Sequence, residues 1–162
     1  MWTHATWPLL RRFRHTVAAL VLAVGFVAIS NAGVSASETA VTMFKSPYCG
    51  CCADWAEHLR DHGFDVDVHD EQDLDGVKRM AGVPGELRSC HTAMVDGYVI
   101  EGHVPVDAIH RLLSERPKIR GLSVPGMPIG SPGMEGPGAE SYSVYTFGGD
   151  EDPGIYMSFP AR

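Results

Sequence analysis

The sequence predicts an α/β layer structure, a small mixed β-sheet flanked by helices. Three observations carry that expectation. Short apolar or alternating segments and segments of helical period follow one another in the order β-α-β-α-β-β-α. Asp96-Gly97 between two apolar runs is a strong two-residue hairpin signal. Gly63, Gly82 and Pro117 each stand where a helical pattern has to stop.

Taken in order, Val41 to Phe44 reads as a short buried strand, after which Pro47 forces a turn. Cys49 to Cys52 then opens a helix that runs to about His62, with Trp55, Ala56 and Leu59 on its apolar face. Phe64 to His69 alternates strictly and predicts a half-exposed strand. A second helix over about Gln72 to Ala81 places Leu74, Val77 and Met80 inward, and Met43, Met80 and Met94 are expected as core fillers. His91 to Val95 and Tyr98 to Gly102 form the hairpin. Pro105 starts a third helix whose Ile109, Leu112 and Leu113 face inward. Between Pro117 and Gly138 five prolines and six glycines predict a loop without regular structure, carrying the repeat Pro125-Gly126-Met127 and Pro132-Gly133-Met134. Tyr142 to Phe147 adds a strand, and nothing is assigned to the acidic, Gly-rich tail.

Residues 1–36 are expected to be a signal peptide. Arg11, Arg12 and Arg14 precede an apolar run from Val17 to Ile29, and Val34-Ser35-Ala36 supplies the small residues of a cleavage site near Ala36. That run would cover only about 20 Å of a hydrocarbon core of about 30 Å, which favours cleavage over anchoring. The expected organisation is therefore signal 1–36, a domain over 37–147 and a tail over 148–162, in an exported, periplasmic protein with no membrane attachment after cleavage. Loss of the leader lowers Lys and Arg from 13 to 10 against 20 Asp and Glu, a formal charge near −10. Such a surface repels phosphate backbones and excludes nucleic acid as a partner. No hydrolase nucleophile and base, phosphate loop or dinucleotide fingerprint is present.

The chemistry concentrates in Lys45-Ser46-Pro47-Tyr48-Cys49-Gly50-Cys51-Cys52, three of the four cysteines in four residues at a strand-to-helix junction. A helix N-terminus stabilises anions and so favours thiolates, which are both nucleophiles and soft-metal ligands. Adjacent Cys51 and Cys52 suit stapling poorly, since a bond between neighbours is strained and only Cys90 lies at a distance. The sequence predicts chemistry at this cluster, with ordinary disulfide staples as the alternative.

Two resemblances follow from these motifs. The Cys motif at a helix start and the later Asp-Gly hairpin resemble the thioredoxin fold. More specifically, Lys45-Ser46-Pro47 with Cys49-Gly50-Cys51-Cys52, Ser89-Cys90-His91-Thr92-Ala93, Glu101-Gly102-His103-Val104-Pro105, and the segment from Gly121 through Met127 to Met134-Glu135 resemble the CopG-like family of exported metal-binding domains associated with copper resistance. The resemblance runs from about Val41 to Phe147.

It implies a thioredoxin-like domain that binds copper, Cu(I) in particular, through the Cys-x-Cys-Cys motif and other soft donors. The candidate metal set is Cys49, Cys51, Cys52 and Cys90, with Met127 and Met134 as ligands or covers of the site, and with His91 and His103 either facing the site as ligands or serving as structural hydrogen-bonding residues. In a thioredoxin-like arrangement Cys90, just before a central strand, completes a four-thiol group. Adjacent helical side chains diverge by about 100°, so several ions bridged by thiolates fit better than one, and a single four-cysteine zinc is the bland alternative. Tyr48 is an expected shield for the site. His58 and His62, spaced i, i+4, are expected to be solvated, having no third ligand nearby. His69 and His110 are expected at the surface. The leading expectation is a copper sequestration or handling protein whose partners are copper ions and, as an open possibility, another envelope copper-handling protein. Whether it is an enzyme stays open, the alternative being a thiol-disulfide or copper-coupled oxidoreductase using Cys49 and Cys52.

Overall fold

In the computed structural model, residues 38–150 and 153–161 are described, and the expected signal peptide lies outside them. A strand β1 (Thr39–Lys45) leads into helix α1 (Gly50–Arg60) and returns as β2 (Phe64–Asp70), parallel to β1. Helix α2 (Leu74–Ala81) and a 3-10 turn (Gly85–Leu87) precede the hairpin β3 (His91–Val95) and β4 (Tyr98–Glu101). Helix α3 (Val106–Glu115) then crosses to β5 (Gly121–Ser123), parallel to β4, and β6 (Tyr142–Phe147) and β7 (Ile155–Phe159) complete one sheet in the order β2-β1-β3-β4-β5-β6-β7. Strand β3 runs antiparallel to both β1 and β4, so the sheet is mixed. Among the described residues no helix is long and apolar enough to cross a membrane.

Local sequence accounts for most of these elements. Asp96 and Gly97 both adopt positive φ, 48° and 86°, as a tight turn between antiparallel strands demands. Asp73 caps α2 by accepting a bond from the Gly76 N–H at 2.8 Å, and Gly82 ends the helix at φ 79°. Helices α1 and α3 cover one face of the sheet, where Trp55, Leu59, Ile109 and Leu112 pack on Val41, Met43, Ala93 and Ile100. On the other face Ala81 of α2, with Val83 and Leu87, packs against Val99 and Phe147.

Three expectations need correction. The Pro/Gly segment does contain a strand, because Gly121 approaches the Val99 backbone so closely that a Cβ would meet its carbonyl oxygen at 2.0 Å, and Leu122 fills the core beside it. The acidic tail supplies β7, which pairs with β6. Met80 is 82% exposed and Met94 is exposed too, so neither fills the core.

The reason for Met80 lies in α2, whose buried residues are Val77, Lys78 and Ala81. Lys78 turns inward to Glu101, which rotates Met80 to solvent. Its Nζ donates to Glu101 Oε1 at 2.7 Å and to Thr92 Oγ1 at 3.1 Å, while Thr92 Oγ1 donates to Glu101 Oε2 at 2.7 Å. Glu101 Oε1 also accepts the Ser89 backbone N–H at 2.6 Å. Burial raises the Glu101 pKa, opposed by Lys78 and these hydrogen bonds. A carboxylate at 0% exposure survives only with such partners. Replacing Lys78 with alanine is expected to cost about 3–5 kcal/mol, because one buried charge is left alone. Urea denaturation of the metal-free chain reads this, and Lys78→Met with Glu101→Leu should recover most of the loss.

Candidate metal centre

Cys49 occupies the N-cap position of α1, with extended backbone and no side-chain capping bond, so the thiols of Cys49, Cys51 and Cys52 gather at the helix N-terminus. Cys52 is buried on the core side of that helix and Cys51 is half-buried. Cys90 comes from the turn before β3, next to Ser89, whose N–H is held by Glu101. The four sulfurs lie within 4.8 Å of one another. Cys51 and Cys52, adjacent on the helix, thus both bring their sulfurs within reach of Cys90. Cys49 and Cys52 are joined as a disulfide, Cα atoms 5.5 Å apart, and Cys51 Sγ lies 3.4 Å from Cys49 Sγ.

A second group overlaps the first. Cys52, Cys90, His91 and His103 also place their donor atoms within 4.8 Å of one another. Cys90 Sγ is 2.9 Å from His103 Nε2 and 3.3 Å from His91 Nδ1. His103 Nδ1 donates to the Pro132 carbonyl at 2.7 Å, which puts the proton on Nδ1 and leaves the Nε2 lone pair facing the thiol. The Cys90 thiol is thus the donor in its contact with His103. His91 packs against Trp55, ring centroids 4.4 Å apart, and its Nε2 is buried without a hydrogen-bond partner among the described residues. Trp55 is core, its Nε1–H donating to the Val104 carbonyl at 3.0 Å.

The Pro/Gly loop lies over this centre. Gly133, at φ 78°, sits so close to α1 that a Cβ would meet the Cys51 carbonyl oxygen at 2.7 Å and the Trp55 nitrogen at 2.8 Å. That brings the backbone of Pro132-Gly133-Met134 to the first turns of α1. At the other end, Ser89 Oγ donates to the Gly126 carbonyl, and Ser89 and Gly126 form a parallel bridge, so Met127 follows a residue tied to the neighbour of Cys90. Met134 is half-buried, whereas Met127 is 51% exposed. Tyr48 is 91% exposed and shields nothing, because Pro47 turns it outward. His69 and His110 are at the surface, stacked on Phe44 and Phe64.

A family profile described as "Protein of unknown function, DUF411" matches residues 87–134, a span that holds Cys90, His91, His103, Met127 and Met134. Two solved structures, entitled copper resistance protein copG form 2 and form 1, are each 40% identical to the chain with a TM-score of 0.72. They align with 76% and 77% of this chain and with 100% of their own. The chain belongs to the CopG-like copper-resistance family. No curated protein sequence matches it.

In this CopG-like chain the electrostatics favour neutral donors before metal arrives. Burial, then the neighbouring Cys51, pushes the Cys90 thiol up to about 12. Burial holds His91 well below the ordinary imidazole value, with His103 adding to the effect, and burial likewise lowers His103. The Lys78–Glu101–Thr92 network that braces this CopG-like centre is the functional feature the sequence reading missed. Its one local signal is a lysine at an apolar-stripe position, Lys78 beside Val77 and four before Gly82.

Two outcomes follow for the metal-free chain with the Cys49–Cys52 disulfide in place. At pH 8 a thiol of pKa about 12 is roughly one part in ten thousand thiolate, so Cys90 should alkylate about a thousandfold more slowly than an ordinary cysteine. Peptide mapping after timed iodoacetamide treatment measures this. The imidazoles predict acid lability with a definite sign, since a lowered folded-state pKa means the unfolded chain binds more protons below about 6.5. The stability they contribute is complete above that value and is lost as pH falls below it. His103→Gln should therefore make the melting temperature less sensitive to pH between 7.5 and 5.5, and equal slopes would count against this account.

Proposed function

We propose that the chain is an exported copper-binding protein that sequesters or hands on Cu(I) at a thiolate-bridged site holding more than one ion. The observation that carries this is the overlap of two four-donor groups, one of four thiols and one of two thiols with two imidazoles, sharing Cys52 and Cys90. Thiolate and imidazole are donors that hold soft and borderline metals, and shared thiolates are what bridge neighbouring ions. Six donors exceed the needs of one tetrahedral ion, which speaks against a single zinc. The relatives' titles, copper resistance protein copG, point to copper as the cargo.

Met127 and Met134 are proposed as thioether donors or covers over the site, in keeping with the anchoring of their loop at Gly126 and Gly133. The domain is proposed to be thioredoxin-like. Support comes from the order β2-β1-β3-β4, with β1 and β2 parallel and β3 antiparallel, and from Cys49 and Cys52 in the first turn of α1. A signal over 1–36, a binding domain over 37–147 to whose sheet the tail adds β7, and export to the periplasm belong to the same proposal, as does a further envelope copper-handling partner. Loading such a site requires the thiols to give up protons, so copper competes with the protonated state set by burial.

A second reading rests on the Cys49–Cys52 disulfide. In its reduced form that pair would act on a partner disulfide, Cys49 attacking to form a mixed disulfide and Cys52 then attacking the Cys49 sulfur, which releases the partner dithiol and forms the Cys49–Cys52 bond. Cys51, 3.4 Å from Cys49, would compete within such an exchanger.

Anaerobic titration of the reduced domain with Cu(I) against a competing chelator, read with the free-thiol count, separates the two. More than one copper per chain with all four thiols protected is the expected result, and Cys51→Ser should lower the stoichiometry. Unchanged copper binding in Cys51→Ser, or weak binding beside a readily cycling Cys49–Cys52 pair, would defeat the multi-thiol site.

A further inference from the structure

Two histidines outside the inner centre are placed together by the fold. His58 lies near the end of α1 and His62 just beyond it, with ring centroids 4.5 Å apart. The His58 carbonyl accepts a hydrogen bond from His62 Nδ1 at 2.7 Å. A carbonyl can only accept, so the proton sits on Nδ1 and the Nε2 lone pair of His62 is free. A backbone-anchored Nδ1–H is how metal-binding imidazoles are commonly oriented.

Both rings line a cavity of about 370 Å³ that also takes in Asp107, Pro132 and Glu135. Glu135 is held in place by the Gly133 N–H, which donates to its Oε1 at 2.9 Å. Burial and the adjacent His62 keep His58 below the ordinary imidazole value, so at neutral pH its ring is an available base, while Glu135, Asp61 and Asp107 act in the opposite direction. Sequence spacing alone leaves this pair without company. The Pro/Gly loop and the start of α3 bring two carboxylates to the same cavity.

We propose that His58 and His62 form a second metal-ion site, separate from the thiol-imidazole centre, that takes a borderline divalent ion, Cu(II) foremost. Two imidazoles spaced i, i+4 across the end of a helix, ring centroids 4.5 Å apart, are close enough to share an ion. With no thiol or thioether assigned to it, the pair favours a divalent ion over Cu(I), and among divalent first-row ions Cu(II) binds such donors most tightly. Water completes the coordination, and the carboxylates of Glu135 and Asp107 offset a charge that two neutral imidazoles do not. Pro132 lines this cavity and also holds His103 through its carbonyl, so the outer site shares a loop residue with the inner one. The proposal goes beyond the Cu(I) reading and does not depend on it.

The test removes the thiols. In the chain carrying Cys51→Ser and Cys90→Ser, with the Cys49–Cys52 disulfide retained, titration with Cu(II) followed by electron paramagnetic resonance should show one ion per chain coupled to two nitrogens. His58→Gln or His62→Gln on that background should abolish the two-nitrogen signal, and Glu135→Gln should weaken binding by about tenfold. A signal that survives both histidine substitutions, or no bound Cu(II), overturns the site. Retention of the unmodified oxidised chain on immobilised Cu(II) gives a readout that needs no cysteine change. It should drop in His62→Gln, and equal retention also overturns the proposal. Since no free thiol takes part, failure of this test leaves the Cu(I) reading untouched, and the converse holds as well.

Discussion

A carboxylate buried at the end of β4 sets the position of much that matters in this chain. Removing Glu101 from water costs several kcal/mol unless its oxygens are fully engaged, and here Lys78, Thr92 and the Ser89 N–H engage them. Those three partners come from α2, from β3 and from the turn before β3. Their convergence fixes where β3 begins, and Cys90 and His91 stand at that point. His103 follows two residues after Glu101, so the same anchor holds both sides of the imidazole-thiol group. Only hydrophobic packing of α1 through Trp55 and Leu59 is then needed to bring the Cys49–Cys52 turn up to it.

The centre's donors are already gathered in the metal-free chain, with Cys52, His91 and His103 buried. Cys90 is kept protonated by burial and donates to His103, which is itself oriented by Pro132. The loop carrying Pro132 and Gly133 is in turn pressed on α1 at a spacing that only glycine tolerates. Cap, centre and helix terminus thus form one unit in which the donors are neutral and close. A soft ion that replaces the thiol protons meets a prearranged set of sulfurs, whereas an oxidant meets Cys49 and Cys52 already within bonding reach.

The two faces of the Pro/Gly loop differ in chemistry. Toward the sheet it reaches thiols and imidazoles; toward the end of α1 it offers Glu135 to a cavity with two histidines. Pro132 thus lies between the thiol-imidazole group and the cavity lined by His58 and His62.

What the sequence by itself determined is what local rules govern. Alternation in Phe64–Asp70, the Asp96-Gly97 turn with its two positive φ values, the Gly82 helix stop and the thiol cluster at a helix start all depend on neighbours along the chain. The ends of elements shifted by a few residues, as at Leu74 and Thr39, where capping and pairing compete with periodicity. The tertiary structure alone decided that Lys78 turns inward and Met80 outward, since that depends on a carboxylate 23 residues away. It also decided that Gly121 enters the sheet against Val99, that β7 finds β6, and that His58 and His62 share a cavity with Glu135. Each of these rests on desolvation or close contact between segments distant in sequence, and neither quantity has a local period to read.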